Sequence, residues 1–282
     1  MVNRKQEVRE LMQLTPQQII ERAGDHLIVC EKLDDLHLNF ANSIASEIRS
    51  NNDKNVPTRL ILPIGPIDQY PLLAQIINNE DLSLKNTWIF FMDEYCDEDG
   101  KALMVNHPLS FKRIAEEKFL NLLGKEHSQV FKRIFFPNET NLDALVEKID
   151  QIGGIDVCYG GIGIHGHLAF NEPQPRIADT IYRKVKLNDF TITINSIRAQ
   201  VGGNLENFPN EAFTIGMKQI LNAHKIRLYC RNGTPYDWAN TILRITLFGE
   251  PGDDYPVTHI RNHHDYKVIT DRNTLITPKV LL

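Results

Sequence analysis

The sequence predicts an α/β protein: a doubly wound, mostly parallel sheet with helices on both faces. Three observations carry that expectation. Seven short apolar runs bounded by turn residues recur along the chain, each about as long as a buried strand. Between them lie stretches with apolar residues at helical spacing, so strand and helix alternate and parallel pairing through helical crossovers follows. Glycines and acidic residues gather directly behind several of the runs, where an open α/β sheet collects its ligand-binding groups.

In chain order, Thr15-Pro16-Gln17-Gln18 is a capping box with proline at the first helical position, and Gly24 stands where a helix end favours a left-handed residue. A short helix therefore precedes the first strand, and residues 1–25 read as an N-terminal helical extension to a single domain over 26–282. The expected strands run His26 to Cys30, Arg59 to Leu62, Trp88 to Met92, Arg133 to Phe136, Ile155 to Tyr159, Ile226 to Cys230 and Tyr266 to Thr270. Asp34 to Arg49 places Phe40, Ala41, Ile44, Ala45 and Ile48 on one helical face. Asp68 to Asn78, Asn141 to Ile152 and Tyr236 to Leu247 are also expected to be helical. Gln174 to Asn210 breaks the alternation; polar and Thr/Ile-mixed, it reads as an active-site flap or an added antiparallel piece.

Composition narrows the function classes. The chain has 282 residues, 42% of them apolar, with 31 basic against 36 acidic side chains. No basic block is present to neutralise a phosphate backbone, so nucleic acid is not an expected partner. The N-terminus has no uninterrupted apolar segment and no window approaches the ~20 apolar residues of a membrane span, so no membrane partner and a cytoplasmic location are expected. Cys30, Cys96, Cys158 and Cys230 lie too far apart for a CxxC motif and are expected to be buried, reduced thiols.

The chemistry concentrates in Gly160-Gly161-Ile162-Gly163-Ile164-His165-Gly166-His167-Leu168-Ala169-Phe170-Asn171-Glu172-Pro173, directly behind a strand. Glycines there let the backbone turn sharply and approach a ligand, and a His with a nearby Glu suits proton relay. Gly161, Gly163 and Gly166 match G-x-G-x-x-G formally, but the helix a dinucleotide site requires is replaced by the turn Asn171-Glu172-Pro173. His165, His167 and Glu172 also have the chemistry of zinc ligands, though the spacing fixes no ligand set. A second candidate is Met92-Asp93-Glu94-Tyr95, where a buried strand ends in two carboxylates, only one of which can face a ligand. Partial burial there raises the pKa of Asp93 and makes it a better proton acceptor; the alternative is that it caps the next turn. Leu60 to Pro66 is a third, a strand and tight turn leading into a helix N-terminus that offers free N–H groups to an anion. His107-Pro108 and His263-His264 read as structural.

These residues resemble the glucosamine-6-phosphate deaminase/isomerase family, with the 6-phosphogluconolactonases as more distant relatives. Met92-Asp93-Glu94-Tyr95 is similar to the family's MDEY segment, and His107-Pro108-Leu109-Ser110-Phe111 to its HPxS[YF] stretch. Gly160 to Pro173 is similar to its GG[IV]G-x-D-G-H-[IL]-A-F-N-E-P signature, and Ala212-Phe213-Thr214-Ile215-Gly216 to its A-[LI]-T-[VI]-G run. The ending AFNEP favours the deaminase branch. The resemblance implies a Rossmann-like sheet of the deaminase/isomerase type and a small-molecule sugar phosphate as substrate. It implies Asp93 as the base that moves a proton between C2 and C1 of the opened sugar, and His167, with Glu172 as partner, as the group that assists ring opening. Gly65, Glu94, Gly161, Gly163, Gly166 and Asn171 fall at the substrate. The implied chemistry calls for no cofactor and no metal, and a homo-oligomer is one implied assembly, since relatives include hexamers and monomers.

The departures are specific. His165 stands where the family has Asp, so a fixed negative charge beside His167 becomes an imidazole. The phosphate loop L-P-T-G-G-T-P is shortened here to Leu62-Pro63-Ile64-Gly65-Pro66. No lysine matches the family's phosphate lysine near Arg231-Asn232-Gly233-Thr234, and the family's arginine after N-S is displaced by one position to Arg198. Arg198 and Arg231 are the groups left to supply positive charge to an anion. His165 joins Asp93, His167 and Glu172 as a candidate catalytic residue. The expected activity is aldose–ketose isomerisation with ammonia release; the competing readings are a lactone hydrolase and a non-catalytic sugar-binding protein on the same scaffold.

Overall fold

All seven apolar runs become strands of one sheet. The structure, a computed structural model, describes residues 3–233 and 238–281; Thr234 and the expected helix start at Tyr236 lie outside them. The strands are β1 (Leu27–Cys30), β2 (Thr58–Leu62), β3 (Thr87–Phe91), β5 (Ile134–Phe135), β6 (Val157–Gly161), β9 (Lys225–Tyr229) and β10 (Tyr266–Asp271). They pair in the order β1-β10-β9-β6-β2-β3-β5, every pair parallel. Three further strands, β4 (Asp93–Tyr95), β7 (Arg183–Lys186) and β8 (Glu211–Thr214), form a small antiparallel sheet in the order β4-β8-β7. β7 is the antiparallel piece expected between Gln174 and Asn210.

The helices are α1 (Arg4–Met12), α2 (Pro16–Ala23), α3 (Leu33–Asp53), α4 (Gln69–Asn79), α5 (Phe111–Lys118), α6 (Leu142–Gln151), α7 (Asp189–Arg198), α8 (Met217–Leu221), α9 (Ala239–Phe248) and α10 (Arg272–Leu275). The Thr15 capping box and Pro16 open α2 as expected, and Gly24 ends it at φ 50°. A helix the sequence reading did not anticipate, α1, precedes it, and its Leu11 and Met12 pack on Ile242 and Ile245 of α9.

Strand periodicity assigns the two faces. Leu60 and Leu62, Ile89 and Phe91, and Val157 and Tyr159 point to one side, into a core shared with Phe40 of α3 and Tyr70 and Leu73 of α4. Ile61, Phe90 and Cys158 point to the other, against Ile19 of α2, Leu145 and Ile149 of α6 and Leu243 of α9. Both faces are covered, which is why these strands are apolar throughout rather than alternating. All four cysteines are buried, as the sequence suggested, and among the described residues none forms a disulfide; burial pushes the Cys96 thiol up to about 12.

Topology then fixes where a ligand can enter. From β2 the chain winds outward through β3 to β5; from β6 it winds the other way through β9 and β10. Between β2 and β6 the loops at the carboxyl ends part, which is the usual ligand crevice of such sheets. Among the described residues, no helix is long and apolar enough to cross a membrane.

Candidate active site

A cleft of about 530 Å³ opens at that point, within the range of small-molecule sites. Loops after β2, β3, β6 and β9 line it, with the small sheet and α7 forming its far wall. The loops after β2 and β6 touch: a Cβ on Gly161 would lie 2.4 Å from the carbonyl oxygen of Gly65, so only glycine permits this approach. The Gly65–Pro66 peptide is cis.

Asp93 enters the cleft from β4, held by pairing with Thr214 of β8. It is 6% exposed, and burial, with the Glu94 carboxylate as a second cause, pushes it up to about 8. The period-two alternation of β4 sends Tyr95 into the cleft beside Asp93 and Glu94 the opposite way. Both Glu94 oxygens are occupied there. They accept from the backbone N–H groups of Tyr95, Phe111 and Lys112 and from the Ser110 hydroxyl, all at 2.9 Å. Glu94 thus caps α5 instead of meeting substrate, which corrects the role expected for it. The buried Tyr95 ring packs against Phe111, Phe170 and Phe208, and its hydroxyl accepts from Asn195 of α7 at 3.0 Å.

The loop behind β6 supplies His167. Its ring lies so close to Gly163 that a Cβ there would sit 1.9 Å from Nε2. Burial, with smaller contributions from His165 and Arg198, pulls His167 down to about 3, so the ring is neutral at physiological pH. Nδ1 is buried and, among the described residues, has no hydrogen-bond partner. Gly166, at φ 63°, turns the loop, and its carbonyl accepts from Val257 at 2.7 Å; it does not line the cleft.

Three polar residues of this loop face elsewhere. Asn171 is fully buried, donating to the carbonyls of Leu168 and Ile215 and accepting from Arg183 at 2.8 Å, so it fastens the loop to the small sheet rather than lining the cleft. Glu172 Oε2 accepts the backbone N–H of Asn188 at 2.9 Å, and burial raises its pKa against that hydrogen bond. Among the described residues no hydrogen bond joins Glu172 to His167, which corrects the expected pair. His165 accepts from Asn188 Nδ2 at 2.9 Å and crosses Phe190 edge-on; its centroid lies 6.3 Å from that of His167. Both residues therefore hold the N-terminus of α7, where the Asn188 side chain also caps Thr191.

Positive charge reaches the cleft from two sides, Arg231 after β9 and Arg198 at the end of α7, with Gly65 facing them from the β2 loop. Arg198 lies 4.1 Å over the Trp238 ring. Asp68, which the sequence reading passed over, lies 3.5 Å from Arg231 and 3.6 Å from His37. It occupies the N-cap position of α4 without capping it. Tyr95, Asn195 and Asp68 are the cleft residues that residue chemistry did not single out; strand alternation from Asp93 would have indicated Tyr95.

No family model matches the chain. A glucosamine-6-phosphate deaminase of Mycoplasma mycoides is 30% identical over 234 residues, 81% of this chain and 89% of the relative. One from Dictyostelium discoideum is 30% identical over 212 residues, covering 73% of this chain and 72% of its own. Among solved structures, a monomeric glucosamine-6-phosphate deaminase superposes with a TM-score of 0.76 at 24% identity, over 88% of this chain and 98% of that one. A 6-phosphogluconolactonase from Shewanella baltica gives 0.62 at 16% identity, over 87% and 97%. At these identities the two solved structures speak to the fold.

Proposed function

Because the chain belongs to the glucosamine-6-phosphate deaminase family, we propose that it is an enzyme that isomerises an amino-sugar phosphate from aldose to ketose with release of ammonia. The observation that carries this reading is convergence: Asp93, His167, Gly65, Arg198 and Arg231 all face one cleft at the sheet's switch point.

The steps follow from the groups present. Neutral His167 has both a lone pair and an N–H, so it can take the proton of the anomeric hydroxyl and return one to the ring oxygen as the C1–O5 bond breaks. In the open chain the C2 proton is acidic because it lies next to the aldehyde. Asp93 removes it, which requires the carboxylate form. With its pKa near 8, Asp93 is mostly protonated at neutral pH, and a substrate ammonium beside it favours ionisation. The aldehyde oxygen takes a proton from the substrate ammonium to give an enolamine, and Asp93 then returns its proton to C1, leaving an iminium at C2 that water hydrolyses to the ketone and ammonium. Arg198 and Arg231 are the groups for the phosphate, Arg being suited to bidentate contact with its oxygens. Glu172 and His165 act through α7, which delivers Asn195 and Arg198 to the cleft.

Incubation of the purified protein with glucosamine 6-phosphate and other amino-sugar phosphates tests the reading. Ketose and ammonia should appear in equal amounts. If neither forms with any member of the panel, the reading is wrong.

A further inference from the structure

A second group of side chains lies at the other end of the sheet. Asp81 follows α4 just before β3, and Glu126 and His127 sit in the 3-10 stretch Lys125–Arg133 that leads into β5. Both segments precede their strands, so they lie at the amino ends, away from the cleft. One ligand atom from each of Asp81, Glu126 and His127 lies within 4.8 Å of the others.

Two features distinguish this cluster from an ordinary acidic surface patch. His127 is 5% exposed, and its Nε2 is buried and, among the described residues, has no hydrogen-bond partner. That nitrogen faces the carboxylates, 3.7 Å from Glu126 Oε1, and a buried polar atom left so is costly unless something fills the gap. The two segments are also clamped together by other residues. Asn78 donates to the carbonyl of Leu122 at 2.8 Å and accepts from the N–H of Gly124 at 2.9 Å. Gly124 lets the Glu126 carboxylate fold back over the chain, since a Cβ there would lie 2.0 Å from Glu126 Oε1. The three ligands are thus brought together by contacts that are not their own.

We propose that Asp81, Glu126 and His127 bind one divalent transition ion of the zinc class. One imidazole nitrogen and two carboxylates suit such an ion, whereas calcium and magnesium favour all-oxygen shells. Two of the three ligands are exposed, which leaves room for water in the remaining positions. The ion would pin the connection before β5 to the end of α4, bracing the sheet edge without touching the reaction.

The test uses the full chain, freed of metal by chelation and then titrated with Co2+. The expected result is one equivalent of Co2+ bound with a visible d–d absorption, displaced by Zn2+, together with a rise in melting temperature. In Asp81→Asn and His127→Gln the affinity should fall by about tenfold or more, while turnover of the sugar substrate is unchanged. Asp81 is exposed, so its variant reads the site even if His127→Gln folds poorly. No Co2+ absorption, stabilisation by Ca2+ without a Co2+ spectrum, or binding that both variants retain would overturn the proposal.

Discussion

Asp93→Asn should stabilise the protein at neutral pH while sharply lowering turnover. The Asp93 carboxyl has an ordinary value of 3.8 and is held at about 8 in the fold. Between those values the folded chain keeps a proton that the unfolded chain has lost. The stability this proton contributes is fully present below the ordinary value and is lost as pH rises through about 8. Each pH unit in that window costs about 1.4 kcal/mol, so moving from about pH 5 to about pH 7.5 removes roughly 3 kcal/mol through this residue. Asparagine has nearly the same shape and does not titrate. Any cost of its unpaired amide, about 1–3 kcal/mol, is the same at both pH values and cancels in the comparison. Urea denaturation of both proteins at the two pH values gives the answer: the stability difference should shift by about 3 kcal/mol in favour of the variant on going to the higher pH. Turnover should fall by about 10²-fold or more. A stability difference that stays constant between the two pH values would refute the buried, protonated Asp93, and retained turnover would refute its role as base.

Two further substitutions probe the departures from the family pattern. His165→Asp places a carboxylate on a site whose ring centroid is 6.3 Å from that of His167; at an effective dielectric constant of about 20 this is worth at most about 2.6 kcal/mol, or about two pH units. His167 should then titrate above its present value of about 3, moving the acid limb of kcat/KM upward, and an unmoved imidazole NMR titration would show that the two sites do not communicate. Asp68→Asn removes the carboxylate 3.5 Å from Arg231, and because the Asp68 side of that pair is solvent-exposed the KM for a phosphorylated substrate should fall by only about twofold to fivefold at constant kcat; an unchanged KM would remove Arg231 from the phosphate site.

The large sheet was legible because its inner strands β2, β3 and β6 are largely buried on both faces. Continuous runs such as Leu60-Ile61-Leu62 and Phe90-Phe91 have few other structures open to them. The stretch Asp189-Phe190-Thr191-Ile192-Thr193-Ile194 was not legible in this way. Its Thr/Ile alternation favours a strand, yet it opens α7. The helix is imposed at its N-terminus, where Asn188 caps Thr191 and itself receives Glu172 and His165. Those partners come from a loop 16 and 23 residues earlier, so no local window contains the information. Phe190 and Ile197, 64% and 57% exposed, show that apolar burial did not select this helix either.

The same contacts explain why the loop from Gly160 to Pro173 was legible as chemistry but not as geometry. Its residue types announce a site, and Gly161, Gly163 and His167 do line the cleft. Which way each remaining polar group turns depends on elements far along the chain: Arg183 draws Asn171 inward, and Asn188 draws Glu172 and His165 toward α7. In that arrangement the residue that departs from the family pattern acts on the cleft by two routes. His165 depresses the basicity of His167 directly, and through Asn188 it helps to place the helix carrying Asn195 and Arg198. His165→Asp would disturb both at once, whereas Asn188→Ala would disturb only the second. If kcat/KM falls in Asn188→Ala while His167 titrates where it did before, the two routes are separate, and the placement of α7 is a determinant of activity in its own right.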